Sequence, residues 1–198
     1  DYLRKAVEDR YGLTGKKKLK LHRKLAEWFD DMACNAGVDE RLAEELPWQF
    51  VKAGLKKELI DTLTDEAMFQ VLYDRDKYEL IQYWLNLGKD PSRFYEIAWA
   101  EWKVDAEDAF ELSRAGFRLA EFLREQGSSS PVLKEIYGQA EEAAHDLGKY
   151  NGEIRIGVEN SKGLFFLNQG NFSEAEKIFR KGLDDLEYLV GRHHPDTL

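Results

Sequence analysis

Chemistry in this chain would have to start from a few side chains. They are His193-His194, which could bind a metal or act as a general base, Cys34 as a nucleophile, and the paired carboxylates Glu44-Glu45 and Glu141-Glu142. Each lacks the companion its chemistry needs. The two histidines have no third ligand or nucleophile at a matching spacing, and Pro195 directly after them reads as a turn. Cys34 has no activating neighbour in sequence and reads as a small apolar residue. The carboxylate pairs fall on helix surfaces, where solvated charge is the ordinary state. His22 has no Cys or His at ligand spacing and reads as a helix-surface or packing residue. No Gly-x4-Gly-Lys-Ser/Thr loop occurs, so nucleotide hydrolysis has no seat in these residues. The reading is of a non-enzyme, with no cofactor and no metal site.

One charged stretch could contact a macromolecule. Lys16-Lys17-Lys18-Leu19-Lys20-Leu21-His22-Arg23-Lys24 is basic enough to touch nucleic acid or an acidic protein surface. No aromatic interleaves the lysines as a base-stacking platform would, and the chain as a whole carries a net charge of -9. A solvated helix start, or an acidic partner within the same protein, accounts for it more simply.

The elements that must position these residues are helical. Charged residues make up 34% and aromatics 13%, prolines number four, and alternating Val/Ile runs are absent, a composition that predicts an all-α chain. Its length suffices for one large or two small domains. Cys34 is the sole cysteine, so no intrachain disulfide can form and a reducing, cytoplasmic setting is expected. Neither a signal peptide nor an apolar run of the ~18 residues a membrane helix needs is seen, and a soluble protein with no membrane partner is expected.

In chain order, Asp1–Arg10 reads as a short amphipathic helix cut from something longer. Leu21, Leu25, Trp28 and Phe29 then form one helical stripe. Asp39 or a neighbour caps a helix through Leu42, Leu46, Phe50 and Val51 to Gly54, with Pro47 expected to kink or divide it. Leu55–Leu63 follows, and Thr64-Asp65 caps a helix with Met68, Phe69, Val71 and Leu72. Asp74 or Asp76 opens the next, with Leu80, Ile81, Trp84, Leu85 and Leu87 before Gly88. Pro91 starts a helix that holds Phe94, Ile97, Ala98 and Trp102.

The pattern then becomes periodic. Two helix pairs, Ala106–Gln126 with Pro131–Leu147 and Ile156 to Leu198, align at an offset of 43 residues: Ala120 with Gly163, Gly127 with Gly170, Val132 with Ala175, Ile136 with Phe179, Gly148 with Gly191. Small residues at Gly163, Ala175 and Gly182 stand where helix backbones should approach closely, and Phe166, Phe172 and Phe179 fill the space around them. Gly163-x2-Phe166, Gly170-Asn171-Phe172 and Ala175-x3-Phe179 resemble the tetratricopeptide repeat in register. The tail Leu189-Val190-Gly191-Arg192-His193-His194-Pro195-Asp196-Thr197-Leu198 is similar to the kinesin-light-chain/nephrocystin type. Glu159 and Lys162 stand where that family usually has Trp and Leu, which predicts an exposed outer face on this helix. The resemblance implies an α-solenoid of antiparallel helix pairs that continues past Leu198, because repeats bury their core only between neighbours. Phe165, Leu167 and Leu189 are expected on the face the next repeat would cover.

The first half has a resemblance of its own. Leu21-His22-Arg23-Lys24-Leu25-Ala26-Glu27-Trp28-Phe29 and Glu44-Glu45-Leu46-Pro47-Trp48-Gln49-Phe50-Val51-Lys52-Ala53-Gly54 resemble the helical region after the winged helix in STAND NTPases of the NACHT and apoptotic-ATPase kind. That likeness implies a helical relay region over residues 1–102, opening with the end of a winged helix, ahead of a diverged repeat at 106–148 and a clear one at 156–198. It also implies a protein–protein interaction role in signal transduction, as the regulatory or partner-sensing fragment of such an NTPase. The alternatives are a free-standing tetratricopeptide scaffold or cargo adaptor and, third, a nucleic-acid-binding helical repeat through Lys16–Lys24. Partners implied are a protein or peptide, or another domain of the same parent; no small-molecule substrate is evident. By motif match the groove candidates are Asn160, Ser161, Leu164, Leu167 and Asn168 in the clear repeat and Phe117, Glu121, Arg124 and Glu125 in the diverged one. Gly163, Phe166, Gly170, Phe172, Ala175, Phe179 and Pro195 define the repeat.

Overall fold

A computed structural model describes residues 15–128, 130–146 and 152–191, and all of its regular structure is α-helical. The helices are α1 (Gly15–Ala36), α2 (Glu40–Ala53), α3 (Lys56–Thr64), α4 (Glu66–Leu87), α5 (Ser92–Asp105), α6 (Ala109–Glu125), α7 (Pro131–Asp146), α8 (Gly152–Asn168) and α9 (Phe172–Val190). They fall into two compact units that divide at Lys89/Asp90. The expected Asp1–Arg10 helix and Arg192–Leu198, with Pro195 and the two histidines, lie outside the described residues.

Within the first unit, helix ends follow local signals. Asp39 accepts a hydrogen bond from the Leu42 N–H at 2.7 Å, supplying one of the acceptors a helix start lacks. Gly54 closes the same helix at φ 70°, a left-handed conformation that lets the Leu55 N–H reach back to the Phe50 carbonyl. Asp65 serves two helices: its N–H closes α3 and its carboxylate receives the Met68 N–H at 2.9 Å to open α4. Asp76 interrupts α4 with φ -162° and ψ 91°, and its carboxylate receives the Tyr78 N–H to restart it.

Pro47 neither divides nor ends α2, which runs unbroken from Glu40 to Ala53 with the buried ring inside it. A proline costs a helix one N–H, and here the flanking turns and their burial outweigh that loss. The expected stripe on α1 also resolves differently. Ala26 and Phe29 are buried, and beside them His22 makes a 2.7 Å hydrogen bond to Gln49 and an edge contact with Trp48. Leu21 and Trp28 lie one residue before His22 and Phe29, about 100° round the helix, and stay exposed.

In the second unit α5 packs on both α6 and α7. Its buried face is Tyr95, Ala98, Trp99 and Trp102, while Ile97 is 67% exposed. The aromatic rings decided the helix's rotation: Tyr95 meets Trp102 and Phe122 edge-on, and the Trp99 indole N–H donates to Gln139 at 2.7 Å. Next come two antiparallel helix pairs, α6/α7 and α8/α9, with α8 lying against both members of the first pair. That stacking is the arrangement of an α-solenoid.

The offset of 43 is visible in the backbone. Gly127 and Gly170 adopt φ of 73° and 74°. Each donates to the carbonyl three residues back, Arg124 and Leu167, and the following N–H reaches Leu123 and Phe166. Both turns are the same motif made twice.

Candidate partner-binding groove

On α8, Asn160, Leu164, Leu167 and Asn168 recur at intervals of three and four, form one exposed strip, and are the partner-facing candidates that reach solvent there. Ser161 lies at the edge of that strip and is buried. Its hydroxyl is bonded to Glu121 of α6. Glu121 also accepts from Arg124 at 3.0 Å through two nitrogens and from the Tyr137 hydroxyl at 3.3 Å. Burial alone would push the Glu121 carboxyl up; the donors Arg124, Ser161 and Tyr137 together hold it below its ordinary value. Burial, then the Glu121 charge, pushes the Tyr137 phenol up. Glu121, Tyr137 and Ser161 therefore cross-link α6, α7 and α8, with Arg124 closing the cluster from α6. Phe117 is half-buried, its ring 3.6 Å from where a Gly157 Cβ would stand, so it packs α6 on α8. Glu125 is exposed.

The repeat-defining positions are less uniform than their spacing suggests. Phe166 and Ala175 are buried, Phe179 is half-buried and Phe172 is 68% exposed. Gly163 is required by a ring and not by a helix backbone: a Cβ there would lie 2.5 Å from Phe179. At Gly182 a Cβ would find only ordinary contacts at 3.7 Å, so no close backbone approach depends on it. Phe165 faces backward onto Tyr137 at 5.9 Å and is buried, and is not on the open face where the sequence placed it.

Glu159 and Lys162 overturn the expectation of an exposed outer face. Glu159 is 1% exposed and receives the Lys181 ammonium at 2.5 Å. Lys162 bonds Glu141 of α7 at 2.5 Å, and Lys181 reaches the other Glu141 oxygen at 3.3 Å. Glu141, expected in solvent, is thus a half-buried member of a ladder joining α7, α8 and α9. Burial raises its pKa, but Lys162 and Lys181 outweigh this and hold it low; Glu159 holds Lys181 up against the opposing effect of burial. The ladder was missed because its members are 21 to 40 residues apart, beyond the reach of any local pattern.

Beyond the ladder, Leu167, Phe172, Ala175, Glu176, Phe179, Arg180 and Leu183 line an open cleft between α8 and α9. Offset by 43, the positions of Ala175, Phe179, Arg180 and Leu183 are Val132, Ile136, Tyr137 and Ala140 of α7. All four are buried, Tyr137 against Phe165 of α8 and Ala140 beside Trp99 of α5 and Gly116 of α6. In the last pair Ala175 is buried too, Phe179 is half-buried, and Arg180 and Leu183 are exposed. Among the described residues no three His, Cys, Asp or Glu side chains converge as a metal site, and no helix is long and apolar enough to cross a membrane.

No protein-family model matches the chain, and no solved structure matches it. Among curated proteins, a TPR repeat-containing protein of Dictyostelium discoideum is 29% identical over 96% of this chain. Human nephrocystin-3 is 27% identical and mouse nephrocystin-3 26% identical, each over 80% of the chain. The chain spans only 12 to 13% of the length of these relatives.

Proposed function

We propose that this chain is a protein–protein interaction module, and that its parent is a STAND-type signalling NTPase in which residues 1–102 relay and the repeats at 106–148 and 156–198 sense a partner. The observation that carries the interaction role is the exposed strip Asn160, Leu164, Leu167 and Asn168 beside an open apolar cleft, several of whose lining positions are buried in the preceding pair. Likeness to proteins named for their tetratricopeptide repeats supports it. The NTPase reading rests on the two motifs of the first half alone.

Peptides selected from a displayed library on the chain provide the binding test. Replacing Leu164 and Leu167 together by Glu should weaken the selected peptides at least tenfold by calorimetry with helicity unchanged, since both side chains are exposed. Unchanged affinity would move the site elsewhere. Titration with a labelled ATP analogue tests the domain assignment: the isolated chain should show no binding, and micromolar binding would overturn it. A free-standing scaffold is the second reading, favoured if the residues encoded upstream of Asp1 carry no phosphate-binding loop. A salt-dependent gel shift through Lys16–Lys24 would favour the third, a nucleic-acid-binding repeat.

A further inference from the structure

Helix α1 carries two apolar stripes, and only one of them is covered. The inner stripe, with Ala26 and Phe29, is buried. The outer stripe is Leu21, Leu25, Trp28 and Met32, at intervals of four, three and four, the spacing of a coiled-coil seam. Leu21 is 43% exposed, Trp28 51% and Met32 38%, and Leu25 is half-buried. Trp28 is braced edge-on against Phe29 at 4.8 Å, so a large aromatic is held outward on a rigid support.

The charges along α1 are sorted. Lys16, Lys17, Lys18, Lys20, Arg23 and Lys24 occupy its first half and Glu27, Asp30 and Asp31 its second. This runs against the helix's own dipole, which favours acids at the start and bases at the end. Burial and the neighbouring Asp31 already push the Asp30 carboxyl up, so negative charge is crowded at that end. A second helix lying antiparallel relieves both ends at once, because its acidic half meets the basic half and its dipole is reversed.

We propose that the outer stripe of α1 is a self-association surface on which a second copy of this chain docks its own α1 antiparallel. With Leu25 layered against the second copy's Trp28, and Leu21 against its Met32, two-fold symmetry sets Lys24 opposite the second copy's Asp31 and Asp31 opposite its Lys24, both along the flank of the seam away from His22 and Phe29. The contact uses the same patch on both copies, so it closes at a dimer. This surface is independent of the α8 strip.

Sedimentation of the chain across a concentration series should show a monomer–dimer equilibrium that weakens as salt rises. Trp28→Glu, at an exposed position, should leave the melt of the dilute monomer unchanged and raise the dimer dissociation constant at least tenfold. Lys24→Glu should weaken the dimer and Lys24→Glu with Asp31→Lys should restore it, whereas a parallel pairing would show no rescue. Cys34 gives a second readout, since it is the sole cysteine and is exposed. Spin labels on it should lie roughly 25 Å apart in the antiparallel dimer and roughly 10 Å apart in a parallel one. A chain that stays monomeric, or a dimer lost on Leu183→Glu and not on Trp28→Glu, would overturn the proposal.

Discussion

The two helix pairs of the second unit share a turn and an offset but fill one slot in opposite ways. In α6 the slot holds Gly116, over which the Trp99 ring of α5 lies so closely that a Cβ would come within 2.8 Å of it. In α8, 43 residues on, the slot holds Glu159, closed by the Lys181 ammonium from the same pair. One pair is sealed by an aromatic ring from a neighbouring helix, the other by an internal ion pair. A repeat position therefore specifies a volume to be filled and not a residue type, and the filler follows from which neighbour is present.

The largest expected effect comes from breaking the polar filler. Lys181→Ala strands the Glu159 carboxylate in the interior and should cost about 2–3 kcal/mol in urea melts, less than for a fully enclosed pair because water reaches the lysine. Replacing Glu159 and Lys181 together by Leu should recover most of that loss. If the single change were silent, the ladder would be ornamental. Gly116→Ala tests the aromatic filler. The new methyl meets Trp99 and the Ala140 Cβ at 2.8 and 2.9 Å, both in a packed interior, so a net loss of about 1–3 kcal/mol is expected despite the better helix propensity of alanine.

Acid should separate the pairs more gently. Glu141 has a lowered pKa, so its contribution is present above its ordinary value of 4.5 and is lost as pH falls through the folded value. Lys181 has a raised pKa, so its contribution persists below 10.5 and fades only as pH rises past the folded value. Glu121 of α6 is likewise held low, so hydrogen exchange below about pH 4.5 should accelerate in α6 and α7 as well as in α8 and α9, where the two carboxylates tie them together. The smallest effect has the opposite sign. Gly138 sits in the slot that Lys181 occupies one repeat later, and a Cβ there meets nothing within 4 Å. Gly138→Ala should thus stabilise the chain by about 0.5–1 kcal/mol.

Much of the fold could be read locally. The caps at Asp39 and Asp65, the restart at Asp76 and the paired turns at Gly127 and Gly170 each depend on a few adjacent residues, and they stand where the sequence places them. What escaped was rotation and partnership. Leu21 and His22 are neighbours, and nothing in the sequence says which of the two stripes through them meets α2. Tyr95 and Trp99 outcompeted Phe94 and Ile97 because rings from α5 and α6 could interlock, which no single helix reveals. Of the candidate groove, Asn160, Leu164, Leu167 and Asn168 followed from the motif match and are exposed, while the inward turn of Ser161 toward Glu121 depends on a helix forty residues away.

The ladder reaches further than the contacts it makes. Asp184 occupies in α9 the position that Glu141 occupies in α7, and it is exposed. Any helix laid across the open face of the last pair would meet a carboxylate where Lys162 meets one now. A helix with a base at that point would be admitted and one with an acid refused, so the last pair discriminates among successors by charge as well as by apolar shape. The two pairs are therefore not freely interchangeable: a carboxylate at this position sets the charge of any helix that is laid on it.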